Sequence, residues 1–375
     1  MIIVLLAGYS FAQPNKRTSA FNYHRYGELD KAKQAIDEAA QNEKTINDAK
    51  TWYYRGNIYL DIANTTDEKY KNLDPDPLGQ AYDSYQKAMK LDAKNEFKND
   101  IILRMLALAE AYYNKGVISF NNKDYKDAAL KFEKSYDVNY SVERVDTSAL
   151  FNAAIAAGMG GEKEMAKNYY KRLMALNYDK PEVYSSLSEL DKATGDTTEA
   201  LKVVTEGRSK FPDDFNLLIA ETNIYLAKNE TQKALNNLEI AVQKDTTNPT
   251  IYFAVGTNYD QLGKYDKAIE AYKNAIKLKP DYFEANYNLG ALYVNRAADV
   301  LEKANNLPLD ATKEYAEQKQ AADDLLSKSL PYLEAAHRLQ PDDINTMASL
   351  KEIYARLNMK EKSEEIDKEL KALKK

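Results

Sequence analysis

Cysteine is absent from the 375 residues. Disulfides, thiolate metal sites, cysteine nucleophiles and lipid attachment to an N-terminal cysteine are therefore excluded. Histidine is nearly absent as well, with only His24 and His337, which a stacked array would hold far apart. Glycine (13) and proline (10) are scarce, while Ala, Lys, Glu, Leu, Asn and Tyr abound, a balance that favours helix. Neither sign of charge forms a block. The 52 basic and 58 acidic side chains are dispersed and leave a net charge of -6, which disfavours nucleic acid as a partner. No apolar run is long enough to span a bilayer.

Catalytic patterns are missing too. There is no His-Glu-x-x-His pair, no Gly-x-Ser-x-Gly elbow and no Gly-x4-Gly-Lys-Ser/Thr loop. "GMGGEKE" at Gly158–Glu164 lacks the Lys-Ser/Thr of a phosphate loop and falls where a helical turn is expected. "DPDP" at Asp74–Pro77 lacks the glycine and distal glutamate of a calcium loop. The chain reads as a non-enzyme with no cofactor and no metal.

What is present is periodic. The windows 147–180, 181–214, 215–248 and 249–282 follow one another at 34 residues without a gap. Ala166, Ala200, Ala234 and Ala268 mark the register, and Tyr170, Val204, Leu238 and Tyr272 follow four residues later. Gly161, Gly195, Asn229 and Gly263 sit at mid-window, and Pro212 and Pro280 close two windows. Apolar spacing of three and four in "IYFAVGTNY" and "DKAIEAYKNAI" describes two helical faces. The Gly or Asn between them suits the left-handed residue that ends a helix. Each window is therefore a helical hairpin, with Gly256, Ala268 and Ala275 where the two helices approach closely.

The large residue, Leu-Gly, Tyr, Ala, Tyr, Ala and Pro marks at Tyr252, Val255-Gly256, Tyr259, Ala268, Tyr272, Ala275 and Pro280 resemble the tetratricopeptide repeat. Defective copies extend the pattern outward. They carry Tyr23 and Ala32, then Trp52, Gly56 and Tyr85, then Tyr112, Gly116 and Phe132, and finally Leu289-Gly290 and Ala336. The resemblance implies an all-α, right-handed superhelical solenoid of about nine antiparallel helix pairs. We expect one domain over residues 13–375, with flexure near 140–146.

The N-terminal "MIIVLLAGYSFAQ" has the form of a secretory signal cleaved after Ala12, although no Lys or Arg precedes the apolar run. A buried N-terminal segment is the alternative. Together these features resemble periplasmic or secreted tetratricopeptide proteins of Bacteroidetes-type bacteria.

Tyrosine, at 29 residues, is the most unusual component. Tyr59, Tyr85, Tyr170, Tyr184, Tyr252, Tyr259, Tyr272 and Tyr293 occupy packing positions of the repeat. A second set lies one residue after the first large position: Tyr53, Tyr113, Phe151, Ser185, Ile219, Phe253 and Tyr287. The resemblance places that position on the concave groove, where Phe120, Ile155 and Met159 would widen an apolar stripe. Burial against the next repeat is the competing reading for these side chains. The family's carboxylate clamp is absent, because Tyr53 or Phe253 stands at its lysine position, with Asn57 or Thr257 a turn later. We expect a protein or peptide partner with an apolar or amphipathic segment, and no membrane span. A glycan stacked on the aromatic rings is the alternative. The sequence leaves the oligomeric state open.

One unit is lengthened. Ala297–Leu301 should continue a helix, "NNLPLD" should turn, and Ala311–Leu339 should return. Val300, Leu301, Ala304, Ala311, Tyr315, Ala322, Leu325 and Leu326 would form the seam of an antiparallel paddle at about 297–324, with Pro331 kinking its return arm. This paddle is expected to offer a second docking surface.

Overall fold

A computed structural model describes residues 13–373. The signal segment expected at 1–12 lies outside them. Among the described residues there are 18 helices and no strand, the number that nine pairs require. The chain divides into two compact units at residues 190/191.

The first unit pairs α1 (Gln13–Arg25) with α2 (Leu29–Gln41), and α3 (Ala49–Asn64) with α4 (Pro77–Leu91). It continues with α5 (Lys98–Asn121) and α6 (Tyr125–Tyr140), then α7 (Thr147–Met159) and α8 (Lys163–Ala175). Helix α9 (Pro181–Ala193) carries the division. The second unit holds α10 (Thr197–Lys210) and pairs α11 (Phe215–Ala227) with α12 (Thr231–Lys244). It also pairs α13 (Pro249–Gln261) with α14 (Tyr265–Leu278), α15 (Phe283–Asn305) with α16 (Thr312–Leu339), and α17 (Ile344–Arg356) with α18 (Lys360–Leu373).

Local chemistry sets these boundaries. Helices α7, α9, α11 and α13 begin at Thr147, Pro181, Phe215 and Pro249, the first residues of the four sequence windows. Gly161, Gly195, Asn229 and Gly263 all take positive φ, between 56° and 90°, and so end the first helix of each window. Asp48, Asp124, Asp146, Asp196, Asp214 and Asp343 cap helix starts by accepting from backbone N–H groups. In "DPDP", Asp76 caps α4 through Gly79 N at 3.1 Å, and Asp74 lies 3.7 Å from Lys33. Both carboxylates thus serve the loop that precedes α4.

The small residues do what their spacing requires. A Cβ added to Gly256 would stand 2.6 Å from the Tyr272 ring, and one on Gly116 would stand 2.8 Å from Phe132. Gly290 faces Leu333 at 2.5 Å in the same way, and Gly56 faces Tyr85. Tyr85, Tyr272, Ala268 and Ala275 are fully buried. Each such ring contributes roughly 1.5–3 kcal/mol on burial, and only a residue without a side chain lets it lie flat on the facing helix. Tyr252 departs from expectation. It is half-buried, because a cavity of about 410 Å³ opens beside it between α12 and α14, with Val242, Tyr259 and Lys267 on its walls.

Trp52 fixes the loop before α3. Its indole N–H donates to the Ile46 carbonyl at 2.7 Å, and the Lys87 ammonium sits 3.8 Å from its ring. Helices α15 and α16 are the longest hairpin, at 23 and 28 residues, and α16 runs unbroken through Pro331. In its seam Ala304, Ala322 and Leu326 are buried, and Val300, Leu301, Ala311 and Leu325 are half-buried. Tyr315 is 44 % exposed and does not join them, because α16 begins with ten exposed residues, 312–321.

Candidate functional site on the first helices

The stripe chosen from sequence takes one consistent state. Tyr53, Tyr113, Phe120, Phe151, Ile155, Ile219, Phe253 and Tyr287 are all half-buried. Neither full burial nor full exposure describes them. For Tyr53, Phe151 and Phe253 the reason is a second ring set from the connecting segments. Phe97 stacks on Tyr53 at 5.0 Å, Tyr178 lies 5.7 Å from Phe151, and Tyr282 lies 5.1 Å from Phe253. On its other side each of three stripe rings meets a second-helix aromatic. These pairs are Tyr113 with Phe132 at 5.1 Å, Phe151 with Tyr170 at 6.3 Å and Phe253 with Tyr272 at 5.9 Å. Phe283 stacks on Tyr287 at 6.0 Å, and Ile219 packs on the core beneath α11.

In the first unit, α5 and α7 bring several of these residues together. Phe120 and Ile155 share an apolar cavity of about 220 Å³ with Val117, Phe132 and Asn152. Asn152 Nδ2 donates to the Tyr113 hydroxyl at 2.7 Å, which orients the amide along the cavity edge. Toward the start of α5 a wider hollow of about 540 Å³ is lined by Leu103, Leu106, Tyr113 and Arg144 among others. Met159, at the end of α7, is 53 % exposed. Tyr53 lies farther along the unit, in a run of rings from Phe21 through Tyr54 to Phe97. Ile219, Phe253 and Tyr287 belong to the second unit.

Sequence reasoning passed over Val117, Asn152 and the covering rings Phe97, Tyr178 and Tyr282. Val117 sits one turn before Phe120 and Asn152 follows Phe151, so both were within reach of the helical stripe. The covering rings lie between helices, where the period carries no information.

The clamp positions are spent inside the fold. Asn57 accepts from the buried Tyr85 hydroxyl at 2.8 Å, and Thr257 donates to the Phe253 carbonyl at 3.1 Å. Another polar motif recurs instead. Tyr59, Tyr259 and Tyr354 stand at the same place in their repeats, and each donates its hydroxyl to a carboxylate on the preceding second helix. The acceptors are Asp37 at 2.8 Å, Glu239, and Glu334 at 2.7 Å. The Glu239 bond, followed by burial, pushes the Tyr259 hydroxyl up to about 12. Burial first, then the bond to Glu334, raises Tyr354 as well.

Among the described residues no group of three or more His, Asp or Glu is placed to hold a metal ion. No described helix is long and apolar enough to cross a membrane. His24 pairs with Asp61 at 2.6 Å and His337 with Glu369 at 3.0 Å, each tying neighbouring helices.

These helix pairs define an all-α repeat architecture. Residues 256–295 match the family model described as TPR repeat, which makes that stretch a repeat of tetratricopeptide type within the all-helical array. It is 21 % identical over 346 residues to tetratricopeptide repeat protein 37 of Xenopus laevis, covering 73 % of this chain and 22 % of that protein. To protein O-mannosyl-transferase TMTC1 of Homo sapiens it is 29 % identical over 120 residues, 32 % of this chain and 14 % of that one. The chain thus spans less than a quarter of either relative's length. Two solved structures are similar in part. YrrB, described as a TPR protein with an unusual peptide-binding site, aligns at 15 % identity and TM-score 0.41 over 56 % of this chain and 98 % of its own. MamA from Desulfovibrio magneticus RS-1 aligns at 20 % identity and TM-score 0.40 over 52 % and 96 %. Tetratricopeptide scaffolds in general mediate protein–protein interaction.

Proposed function

We propose that this chain is a noncatalytic scaffold of a cell envelope that holds an apolar or amphipathic polypeptide segment along its first helices. The observation that carries the reading is the cavity shared by Phe120, Ile155, Val117 and Phe132. Side chains from two adjacent first helices converge there, and Val117 remains 37 % exposed beside them. A side chain about the size of leucine entering this space would lose water on several sides at once, which is how a groove anchors a helix or strand. A glycan needs free ring faces to stack on. Tyr53 already gives a face to Phe97, with the rings 24° apart, so the ladder favours polypeptide over sugar.

The test is a photoreactive side chain at Val117 in the full chain, irradiated in intact cells of the source organism. One polypeptide should be crosslinked through an apolar segment, and Phe120→Asp with Ile155→Asp should remove the crosslink at nearly unchanged melting temperature. Crosslinking that survives both changes would overturn the proposal. Export belongs to the same reading, and a mature mass that starts at or near Gln13 is expected for protein from the native source.

A further inference from the structure

The free end of the α15–α16 hairpin has no part in the groove, and nothing argued for the groove bears on it. Its two helices run 23 and 28 residues where α13 and α17 run 13 each. At helical rise the excess on α15 alone is about 15 Å. The core that α17 and α18 form against the hairpin reaches Ala297 and Ala322. Residues 298–321 extend past it as an arm, of which Val300 and Leu301 at its base pack against that core.

The turn at the tip is built. Leu307 N donates to Ala304 O at 3.1 Å, Ala311 N to Pro308 O at 3.0 Å, and Tyr315 N to Ala311 O at 2.9 Å. This turn presents Leu309 with its side chain fully exposed, at 102 %. Beside it lies an apolar hollow of about 310 Å³ with Ala304, Leu307, Pro308, Ala311 and Tyr315 on its walls. Leu309 lines this hollow with them, so the tip carries a contiguous apolar patch, and such a patch, unlike a lone exposed leucine, marks a surface for another molecule.

The charge on the arm selects the occupant. Between residues 298 and 321 stand five acidic side chains, Asp299, Glu302, Asp310, Glu314 and Glu317, against Lys303, Lys313 and Lys319. The arm that carries the apolar tip therefore has an excess of two negative charges. That sign opposes an anionic bilayer surface and suits a socket rimmed by lysine or arginine.

We propose that the arm is a docking element whose Leu309 knob enters an apolar, basic-rimmed socket on a partner protein. The experiment places a photoreactive amino acid at position 309 of the full chain and irradiates it in extract of the native source. Crosslinked peptides are then sequenced. The expected product is one protein, joined at an apolar residue with Lys or Arg close by. Its yield should fall several-fold with Glu314→Lys and Glu317→Lys together, and again at high salt. Both changes lie on exposed helix surface, and the Lys313–Glu317 pair at 3.8 Å that one of them breaks is a surface pair of little worth, so circular dichroism should be nearly unaltered. Crosslinks to lipid, to a second copy of this chain or to many proteins in proportion to abundance would overturn the proposal. So would a yield indifferent to charge reversal, or no crosslink at all. Because Val117 and Leu309 report separately, failure at one leaves the result at the other intact.

Discussion

Glycine 256 and tyrosine 259 show what single residues do in this array. Gly256 makes room for the Tyr272 ring, which would meet a Cβ at 2.6 Å. Gly256→Leu should overpack that contact and cost roughly 1–3 kcal/mol, read as a lowered melting temperature; an unchanged melt would mean the contact is not tight. Tyr259 joins α13 to α12 through Glu239. Tyr259→Phe removes one hydrogen bond to the exposed Glu239 carboxylate, where water takes the donor's place, and should cost about 0.5–1.5 kcal/mol. The same bond makes stability depend on alkaline pH. The folded hydroxyl titrates at about 12, above the ordinary value of 10.0, so the unfolded chain releases its proton first. The stabilisation is complete below pH 10, declines above it and is gone once pH passes about 12. Denaturant midpoints across that range should fall more steeply for the native protein than for Tyr259→Phe. The register of Gly256 was legible because it recurs with Tyr272 and Ala275 in one window. The Tyr259–Glu239 pair was not, since it links residues of different windows and no spacing rule within a helix connects them.

Helices were the most legible level of this protein. Left-handed Gly or Asn and capping Asp act within a few residues, so helix starts at Thr147, Pro181, Phe215 and Pro249 follow from local chemistry. Exposure of the stripe was not available from the period, because Phe97, Tyr178 and Tyr282 cover it from connecting segments. The paddle was expected from its apolar spacing, yet Tyr315 was placed in the seam and lies outside it. At this scale the arm supplies a direct prediction. Replacing residues 302–319 by a short Gly-containing turn should leave the remaining helices intact and lower the melting temperature only slightly, because Ala297, Ala322 and Leu333 keep their places in the core. A fully unfolded product would show that the arm is needed to nucleate α16.

At the scale of the whole chain, the unbroken period from residue 147 to 282 passes through the division at 190/191. We propose that the repeats from 13 to 375 form one array, and nearest-neighbour coupling along it is the physical reason. The bend expected at 140–146 falls within the first unit, where Asn139 O accepts from Val142 N at 3.1 Å and Arg144 N at 3.0 Å. Trypsin should cut at the exposed Arg144 before other sites if that segment opens, and mass mapping of the first fragments decides it. The single tryptophan gives this question an optical handle. Trp52 is held by Ile46 and Lys87, all in the first unit, so its emission reports on that unit alone. Far-ultraviolet ellipticity reports on every helix. Coincident denaturation curves from the two signals are expected of one array, whereas an emission change that runs ahead of the ellipticity would mark the first unit as a separate folding body. One indole thus turns an unlabelled chain into its own two-channel thermometer.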